Sequence, residues 1–370
     1  MKTRAALLRG VGEAFSVEEV DLEGPKANEV LVKVAATGVC HSDHHIVTGD
    51  LPMAFPVLAG HEGAGIVEEV GPGVTSVEPG DHVVMSFIPS CGHCRWCATG
   101  RTNLCDLGAG LLVGAQLDGT YRFSVDGEDI AQVCMLGTFA EYTVVAEASV
   151  VKIPSDIPLE LACLVGCGVP TGYGAAVHRG RVSPGEVVVV FGIGGIGINA
   201  VQGAAIAGAR AVIAVDPEPL KRETALKLGA THVVDPSEVD PIDVVQSLTN
   251  GQGGDVAILT PGLLTPALIG KGAACVSKGG RVVCVAVPSG ADLHIEVPPM
   301  ELVLFEKELI GTVYGGCNPF AEINLLLELN RTGKLRLEEL ITNRYRLDDI
   351  NAAFADMLEG RNIRGVIVFD

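Results

Sequence analysis

Cys91, Cys94, Cys97 and Cys105 stand in one short stretch, CGHCRWCATGRTNLC, with gaps of two, two and seven residues. Thiolates at this density suit tetrahedral zinc, whose structural sites are commonly four-coordinate and all cysteine. A disulfide reading is disfavoured because Met1 runs directly into KTRAALLRG, without the apolar leader of a secreted chain. An iron–sulfur cluster uses similar gaps, and this stretch alone leaves that reading open. A second set of metal-binding residue types is dispersed. Cys40 lies in CHSDHH (40–45), His61 and Glu62 in GHEGAG (60–65), and Cys163 and Cys167 in CLVGCGVPTGYG (163–174). Zinc held by Cys40, His61 and Cys167 would have two thiolates, one imidazole and an open position, the composition of a catalytic site. Glu62 reads as a carboxylate beside the metal, an occasional ligand or an ordinary buried acid.

A third motif points to a dinucleotide. Gly192, Gly194 and Gly197 fall in GxGxxG register, with Gly195 and Ile196 between the last two. The triplet follows the strand-like VVVVF, opens a helical stretch and is followed by AVIAVD. In that setting Gly192 permits the tight turn, Gly194 lets the backbone approach a pyrophosphate, and Gly197 lets helix and sheet pack closely. The helix N-terminus offers amide donors to the phosphates. Asp216, nineteen residues after Gly197, can accept from the adenosine ribose hydroxyls and repel a 2′-phosphate, which selects NAD over NADP. Lys221 is placed to reach the same ribose. FAD is the alternative dinucleotide, but none of its other expected contacts is visible.

These residues need elements to position them. The 370-residue chain is 48% apolar but only 4% aromatic, so its core must be aliphatic, and its length predicts two domains. Up to about residue 150, short strands alternate with turns: 29–38, 63–71, 81–87 and 140–146. This pattern predicts a twisted antiparallel sheet or small barrel. After Pro184, strands at 187–192, 211–216, 232–235, 255–260, 281–287 and 309–315 alternate with helical stretches near 195–207 and 219–229. That pattern predicts an α/β fold with a doubly wound parallel sheet. The end of the chain reads helix, strand, helix, strand and is expected to return to the first domain. A formal net charge of −19 argues against nucleic acid or an anionic membrane as partner. Apolar stretches are broken before membrane-spanning length, so the expectation is a soluble, cytoplasmic protein.

Taken together, CHSDHH, GHEGAG, CGHCRWC…C, GCGVPTGYG, GIGGIG with Asp216, and the terminal NIRGV resemble the zinc-dependent alcohol dehydrogenases of the medium-chain dehydrogenase/reductase superfamily, essentially from end to end. The resemblance implies a GroES-like catalytic domain over 1–166 and 320–370, with a zinc lobe near 91–105, and a Rossmann domain over 167–319. It implies two zinc ions and NAD: catalytic zinc on Cys40, His61 and Cys167, structural zinc on Cys91, Cys94, Cys97 and Cys105. Glu62 matches the acid beside the catalytic metal, and Asp43 the acid that hydrogen-bonds the histidine ligand. Cys134, Cys275, Cys284 and Cys317 are left to ordinary burial.

By the same resemblance, Ser42 and His45 relay the alcohol proton, with His44 the neighbouring rival to His45. His41 and Arg364 match pyrophosphate contacts, and Thr171 lies beside the nicotinamide. The backbone at Val285 and Val287 holds the carboxamide. Phe87 and Leu309 match positions that shape the substrate cleft and suggest an apolar pocket for a primary alcohol, aliphatic or aromatic. The implied reaction is hydride transfer between that alcohol and NAD, giving an aldehyde. NLCDLGAGLLVG, MLGTFAEY, GCNP and GKLRLEELIT are most similar to an actinobacterial branch that includes nicotinoproteins, which keep NAD bound and use a separate electron acceptor. A formaldehyde or thiol-adduct dehydrogenase is a further alternative, although no cleft arginine for the adduct is identifiable. The family is generally dimeric or tetrameric, and LIGTVYG (309–315) is the candidate edge strand for a homo-oligomer.

Overall fold

The stretch EVLVKVAATG forms the ten-residue strand Glu29–Gly38, eight of whose residues are buried. A strand so covered must be central. It pairs antiparallel with Gly63–Val70, with Tyr142–Ala146, and through its last residues with Arg364–Val368. The computed structural model describes residues 1–290 and 292–370. These divide into two units: Met1–Cys167 with Asn318–Gly333 and Leu337–Asp370, and Gly168–Cys317 with Lys334–Arg336.

In the first unit the central strand belongs to a seven-stranded sheet that also contains His82–Met85, Val150–Lys152 and Ile341–Tyr345. A closed barrel lies in the same unit, built from Lys2–Leu8, Ser16–Leu22, Phe123–Val125, Glu128–Gln132 and Val57–Leu58. The core is aliphatic, with one aromatic knot. Phe15 stacks on Phe354 at 5.0 Å between centroids, and Phe139 meets each edge-on at 6.0 Å. Phe354 comes from the helix Ile350–Leu358, so the returning end of the chain completes this core.

Arg122, 1% exposed, joins barrel to sheet. Its guanidinium donates to both carboxylate oxygens of Glu29, at 2.8 and 2.6 Å, and to Asp118 at 2.8 Å. Two-pronged geometry makes such pairs specific. Burial makes the loss of one partner costly, because the other charge is stranded.

The second unit is a six-stranded parallel sheet. Its spatial order is His232–Val234, Ala211–Val215, Val187–Phe191, Gly254–Leu259, Val276–Cys284, Glu308–Gly311. The first strand in sequence therefore lies inside, and the order reverses beside it, as in doubly wound nucleotide folds. Two expected strands end early. The one expected through 287 stops at Cys284, because the N–H groups of Val285 and Ala286 both turn to the Leu259 carbonyl. The one expected through 315 stops at Gly311, and Tyr314–Gly316 forms a 3-10 turn. That turn needs glycine: at Gly315 φ is +64°, and an added Cβ would stand 2.5 Å from the Pro170 carbonyl. Glu308–Gly311 is the sheet edge. Among the described residues no single helix is long and apolar enough to cross a membrane.

Glu29→Gln should lower stability by about 1–3 kcal/mol in chemical denaturation, because it removes the buried one of the two carboxylates that Arg122 pairs with. Lys2→Ala, at the exposed pair with Asp21, should cost less than about 1 kcal/mol. Equal effects would remove Arg122 from its place as the anchor of barrel to sheet.

Candidate active site and nucleotide site

Four buried residues, distant in sequence, converge in the first unit. One ligand atom each from Cys40, His61, Glu62 and Cys167 lies within 4.8 Å of all the others. Cys40 caps the helix His41–Val47 in extended conformation. His61 and Glu62 precede the strand Gly63–Val70. Cys167 follows the short helical turn Cys163–Gly166. Cys163 is not in the cluster, and its thiol donates to the Glu160 carbonyl at 3.2 Å.

Asp43, fully buried, orients the imidazole. Its Oδ1 lies 3.1 Å from His61 Nδ1 and accepts the Gly60 N–H at 2.9 Å. This engages one ring nitrogen and leaves the other for the cluster, the usual support of a metal-bound histidine. Burial opposes charge on His61, but Asp43 and Cys40 outweigh it and push its pKa well above the ordinary value. The Cys40 thiol is held far below its ordinary range, first by a hydrogen bond from Cys167 and then by the charges of His61 and Arg364. Cys167, the donor, is pushed up.

Glu62 is the second buried acid. Burial lifts it to about 7, against the pull of Arg364. Its Oε2 accepts from the Arg364 guanidinium, while Oε1 is buried without a partner. Gly38 makes this pair possible, since a Cβ there would stand 2.2 Å from Glu62 Oε2 and 2.7 Å from Arg364 Nη2. Two thiolates, one imidazole nitrogen and an unpartnered carboxylate oxygen in this space fit a divalent, thiophilic metal such as zinc.

Around the cluster, Ser42 Oγ is 3.7 Å from the Cys40 sulfur, and the ring of Phe87 meets His61 edge-on at 5.8 Å. His45, 6% exposed, has its Nδ1 3.3 Å from Asp50 Oδ2, and Asp50 also accepts the Thr48 hydroxyl at 2.6 Å. Burial pushes His44 below the ordinary imidazole value. His41 opens the same helix.

The four-cysteine lobe is a separate constellation in this unit. Cys91 and Cys97 sulfurs are 4.0 Å apart, as are those of Cys94 and Cys105. Disulfides need about 2.05 Å, and all eleven cysteines are free. Thiolates about 2.3 Å from zinc at tetrahedral angles would stand about 3.8 Å apart, which these nearly match. Backbone N–H groups of Cys91, Cys94 and Cys97 point at the sulfurs of Cys105, Cys91 and Cys94 at 3.3–3.5 Å. The Cys97 N–H holds the Cys94 thiol at about 6.

In the second unit the glycine loop joins Val187–Phe191 to the helix Gly197–Ile206. Gly192 has φ +84°, and its Cβ would lie 2.6 Å from the Thr260 carbonyl. A Cβ on Gly197 would lie 1.9 Å from the Gly192 carbonyl, whereas one on Gly194 would meet nothing within 4 Å. Gly192 and Gly197 thus serve the backbone, while Gly194 borders open space where a phosphate could approach. No side chain caps the helix, so its first N–H groups keep their donor capacity. Asp216, 3% exposed, closes the loop by accepting the N–H groups of Ile193 at 2.7 Å and Glu218 at 2.9 Å. Lys221 Nζ stands 4.0 Å from it. Thr171 is buried on the helix Gly168–Gly174. Val285 donates its N–H to Leu259, and the Val287 carbonyl accepts from Leu264 at 3.0 Å. Leu309, in the edge strand, packs partly buried on this unit's own apolar core.

Residues 26–155 match the alcohol dehydrogenase GroES-like domain, and residues 195–329 match the zinc-binding dehydrogenase family. The chain is 50% identical over 368 residues, all of both chains, to putative alcohol dehydrogenase D of Mycobacterium tuberculosis. It is also 50% identical to an NDMA-dependent alcohol dehydrogenase of Amycolatopsis methanolica, covering 100% of this chain and 99% of that one. Benzyl alcohol dehydrogenase from Acinetobacter calcoaceticus matches in structure with TM-score 0.94 and 32% identity, over 100% of both chains. The chain belongs to the zinc-dependent alcohol dehydrogenase family. It is an enzyme of that type, an alcohol oxidoreductase that works with zinc and NAD.

Three supporting residues of this alcohol dehydrogenase escaped sequence reasoning. Gly38 carries no motif, Asp50 is one acid among many, and Thr260 clamps the glycine loop through its hydroxyl, 2.7 Å from the Gly192 carbonyl. Only Asp50 gave a signal, its position five residues after His45. The glycines separate stability from cofactor binding. Gly194→Ala should leave the melting temperature nearly unchanged while weakening NAD binding by calorimetry. Gly197→Ala should unfold at lower temperature even without cofactor, by roughly 1–3 kcal/mol of overpacking. If Gly194→Ala bound NAD normally, the open space beside it would not be the phosphate site.

Proposed function

We propose that the chain oxidises primary alcohols to aldehydes with one catalytic zinc on Cys40, His61 and Cys167, a second zinc in the four-cysteine lobe, and NAD on the second unit. The observation that supports this most is the buried convergence of two thiols, an Asp43-oriented imidazole and an unpartnered Glu62 oxygen. Zinc there would supply a Lewis acid that lowers the alcohol's pKa, and NAD would supply the hydride acceptor.

The chain's own residues do the rest. Ser42 takes the hydroxyl proton at Oγ and hands it on toward His45. His45 holds that proton at the outer end of the relay, and Asp50, at its Nδ1, fixes the ring. Such assistance is worth on the order of 10²–10⁴-fold. Phe87 gives the pocket an apolar wall and screens His61 from water. Asp43 fixes the His61 tautomer, and Arg364 holds Glu62 in place at one carboxylate oxygen. On the second unit, Gly192, Gly194, Gly195, Ile196 and Gly197 present backbone to the pyrophosphate; His41 and Arg364, in the first unit, are further candidates by the family resemblance alone. Asp216 and Lys221 address the adenosine ribose, Thr171, Val285 and Val287 the nicotinamide, and Leu309 the substrate.

A second reading keeps NAD bound through turnover and passes electrons to a separate acceptor. The 50% identity to an enzyme named for dependence on NDMA favours it. NADH absorbance with zinc-loaded enzyme, excess NAD and primary alcohols separates the two. Continuous growth marks exchange, whereas a rise stopping near one equivalent per subunit marks retention. Cys167→Ala or His61→Ala should abolish either signal, and His45→Ala should only slow it near neutral pH. Full activity in a zinc-free preparation would sink the mechanism.

We also propose a homo-oligomer formed through the second unit. The helix Pro299–Leu304, PMELVL, buries none of its residues, and Met300, Val303 and Leu304 are 68%, 74% and 63% exposed. The open edge strand Glu308–Gly311 follows at once. A second copy laid on this edge would cover both. Light scattering at micromolar concentration should give at least a dimer, and Val303→Glu should dissociate it. A monomeric wild-type protein would refute the assignment.

A further inference from the structure

Three side chains grip the glycine loop of the second unit. The Thr260 hydroxyl donates to the Gly192 carbonyl at 2.7 Å, and Asp216 accepts the Ile193 N–H at 2.7 Å. The third comes from inside the helix that follows. Asn199, fully buried, donates from its side-chain amide to the Gly195 carbonyl at 2.8 Å. The first backbone donors of the helix go elsewhere: those of Asn199 and Ala200 to Ile196, and that of Ile198 to Gly194, each at 3.0 Å.

Asn199 is itself held. Gln202, 3% exposed, donates from Nε2 to Asn199 Oδ1 at 3.1 Å. The same Nε2 donates to the Arg336 carbonyl at 3.2 Å, and Oε1 accepts the Arg336 N–H at 2.9 Å. Arg336 lies in Lys334–Arg336, a short stretch of the chain's last part that belongs to this unit. Bonding to both backbone groups of one residue fixes which end of the Gln202 amide donates. That in turn fixes the Asn199 amide, with its oxygen toward Gln202 and its nitrogen toward Gly195.

Packing does not ask for this pair. Two adjoining buried amides cost desolvation free energy that apolar side chains of similar volume avoid. What they secure is an orientation. In a trans peptide the carbonyl and the following N–H point to opposite sides. Holding the Gly195 carbonyl on the helix side therefore turns the Ile196 N–H outward, and Gly194, Gly195 and Ile196 are all partly exposed. A peptide free to rotate would present its carbonyl to the same side, and a carbonyl dipole repels a phosphate.

We infer that Asn199 and Gln202 are positioning residues for NAD, a buried amide relay that keeps the Ile196 N–H, rather than the Gly195 carbonyl, facing the pyrophosphate. The inference rests on the NAD reading of this loop. Asn199→Leu keeps the volume and removes the donor to Gly195. Calorimetry on zinc-loaded enzyme freed of nucleotide, with NAD, ADP-ribose and adenosine as ligands, reads the effect without turnover. The Kd values for NAD and ADP-ribose should each rise roughly tenfold, about 1.4 kcal/mol. That for adenosine, which carries no phosphate, should stay within about twofold.

Gln202→Leu leaves Asn199 in place but free to turn, so it should raise the NAD Kd by about threefold or more with the same pattern. Thr249→Val is the control. Thr249 is a buried hydroxyl of this unit that donates to the Val245 carbonyl at 2.8 Å and accepts the Gly253 N–H at 2.9 Å. Gly253 precedes the strand Gly254–Leu259, whose far end lies beside Phe191, where the glycine loop begins. Thr249→Val should lower the melting temperature without moving any of the three affinities. If Asn199→Leu does not fold, Gln202→Leu decides. An NAD Kd within about twofold of wild type in the folded variant, or an equal loss for adenosine, overturns the inference. Failure of the wild-type enzyme to bind NAD would instead overturn the reading on which it rests.

Discussion

The first unit depends on a contact between residues 302 positions apart, the buried pair of Glu62 with Arg364. Arg364 begins the last strand, which lies beside the end of Glu29–Gly38 in register with Gly38. Gly38 is glycine because any side chain would occupy the space of that pair. The same strand end accommodates the loop of His61 and Glu62, since the Gly38 N–H donates to the Glu62 carbonyl at 3.0 Å. The returning end of the chain thus forms one side of the metal cluster. A buried ion pair alone is weak evidence of stabilisation, because apolar side chains of equal volume often do as well. Its placement beside two thiols is therefore better explained by charge. Cys40, Cys167, Glu62 and Asp43 are all buried, and Arg364 sets a full cation directly against Glu62. A divalent cation restores most of the balance, and the cluster's donor atoms are arranged to receive one.

The second unit solves a different problem by removing atoms. The central strand Val187–Phe191 and the helix after it approach closely because Gly197 and Gly192 leave room for each other, and Gly172 leaves room for the Ile196 carbonyl at a would-be Cβ distance of 2.1 Å. Asp216 then locks the loop with two backbone hydrogen bonds. A carboxylate held in this way loses little freedom on meeting a ribose, which is the energetic benefit of preorganisation.

The legible parts of this chain were those where one residue type has one physical use. The valine-rich parallel strands, the glycine triplet and the clustered cysteines each announce their structure locally, and the strand Glu29–Gly38 has the bounds its alternation predicts. Ends of strands were less legible. Val285 and Ala286 have strand-forming side chains but bond a neighbouring carbonyl, a tertiary choice that propensity does not record. Pairings across long separations were not legible at all. Nothing in NIRGV says that Arg364 meets Glu62, and nothing near Thr37 says that Gly38 must clear their path. Similarity of whole motifs supplied the ligand set, while the reason for each neighbour came only from the fold.

Cys134 shows why burial alone is an incomplete account of a residue. From the sequence it is one of several unremarkable apolar cysteines. In the fold it sits on backbone that cysteine disfavours, in a turn gripped by Gln132 of the barrel strand and by Gln116 from a stretch with no regular structure beyond one short 3-10 turn. That stretch, from Asp106 to Gln116, exposes Leu112 and Val113 at 40% and 60% and buries little apolar surface of its own. Irregular segments of such length need an external anchor to hold one conformation. Two are present. The four thiols fix its beginning at Cys105, and Gln116 fixes its end under the turn. A metal in the lobe would then restrict, from its Cys105 end, the segment that carries Gln116.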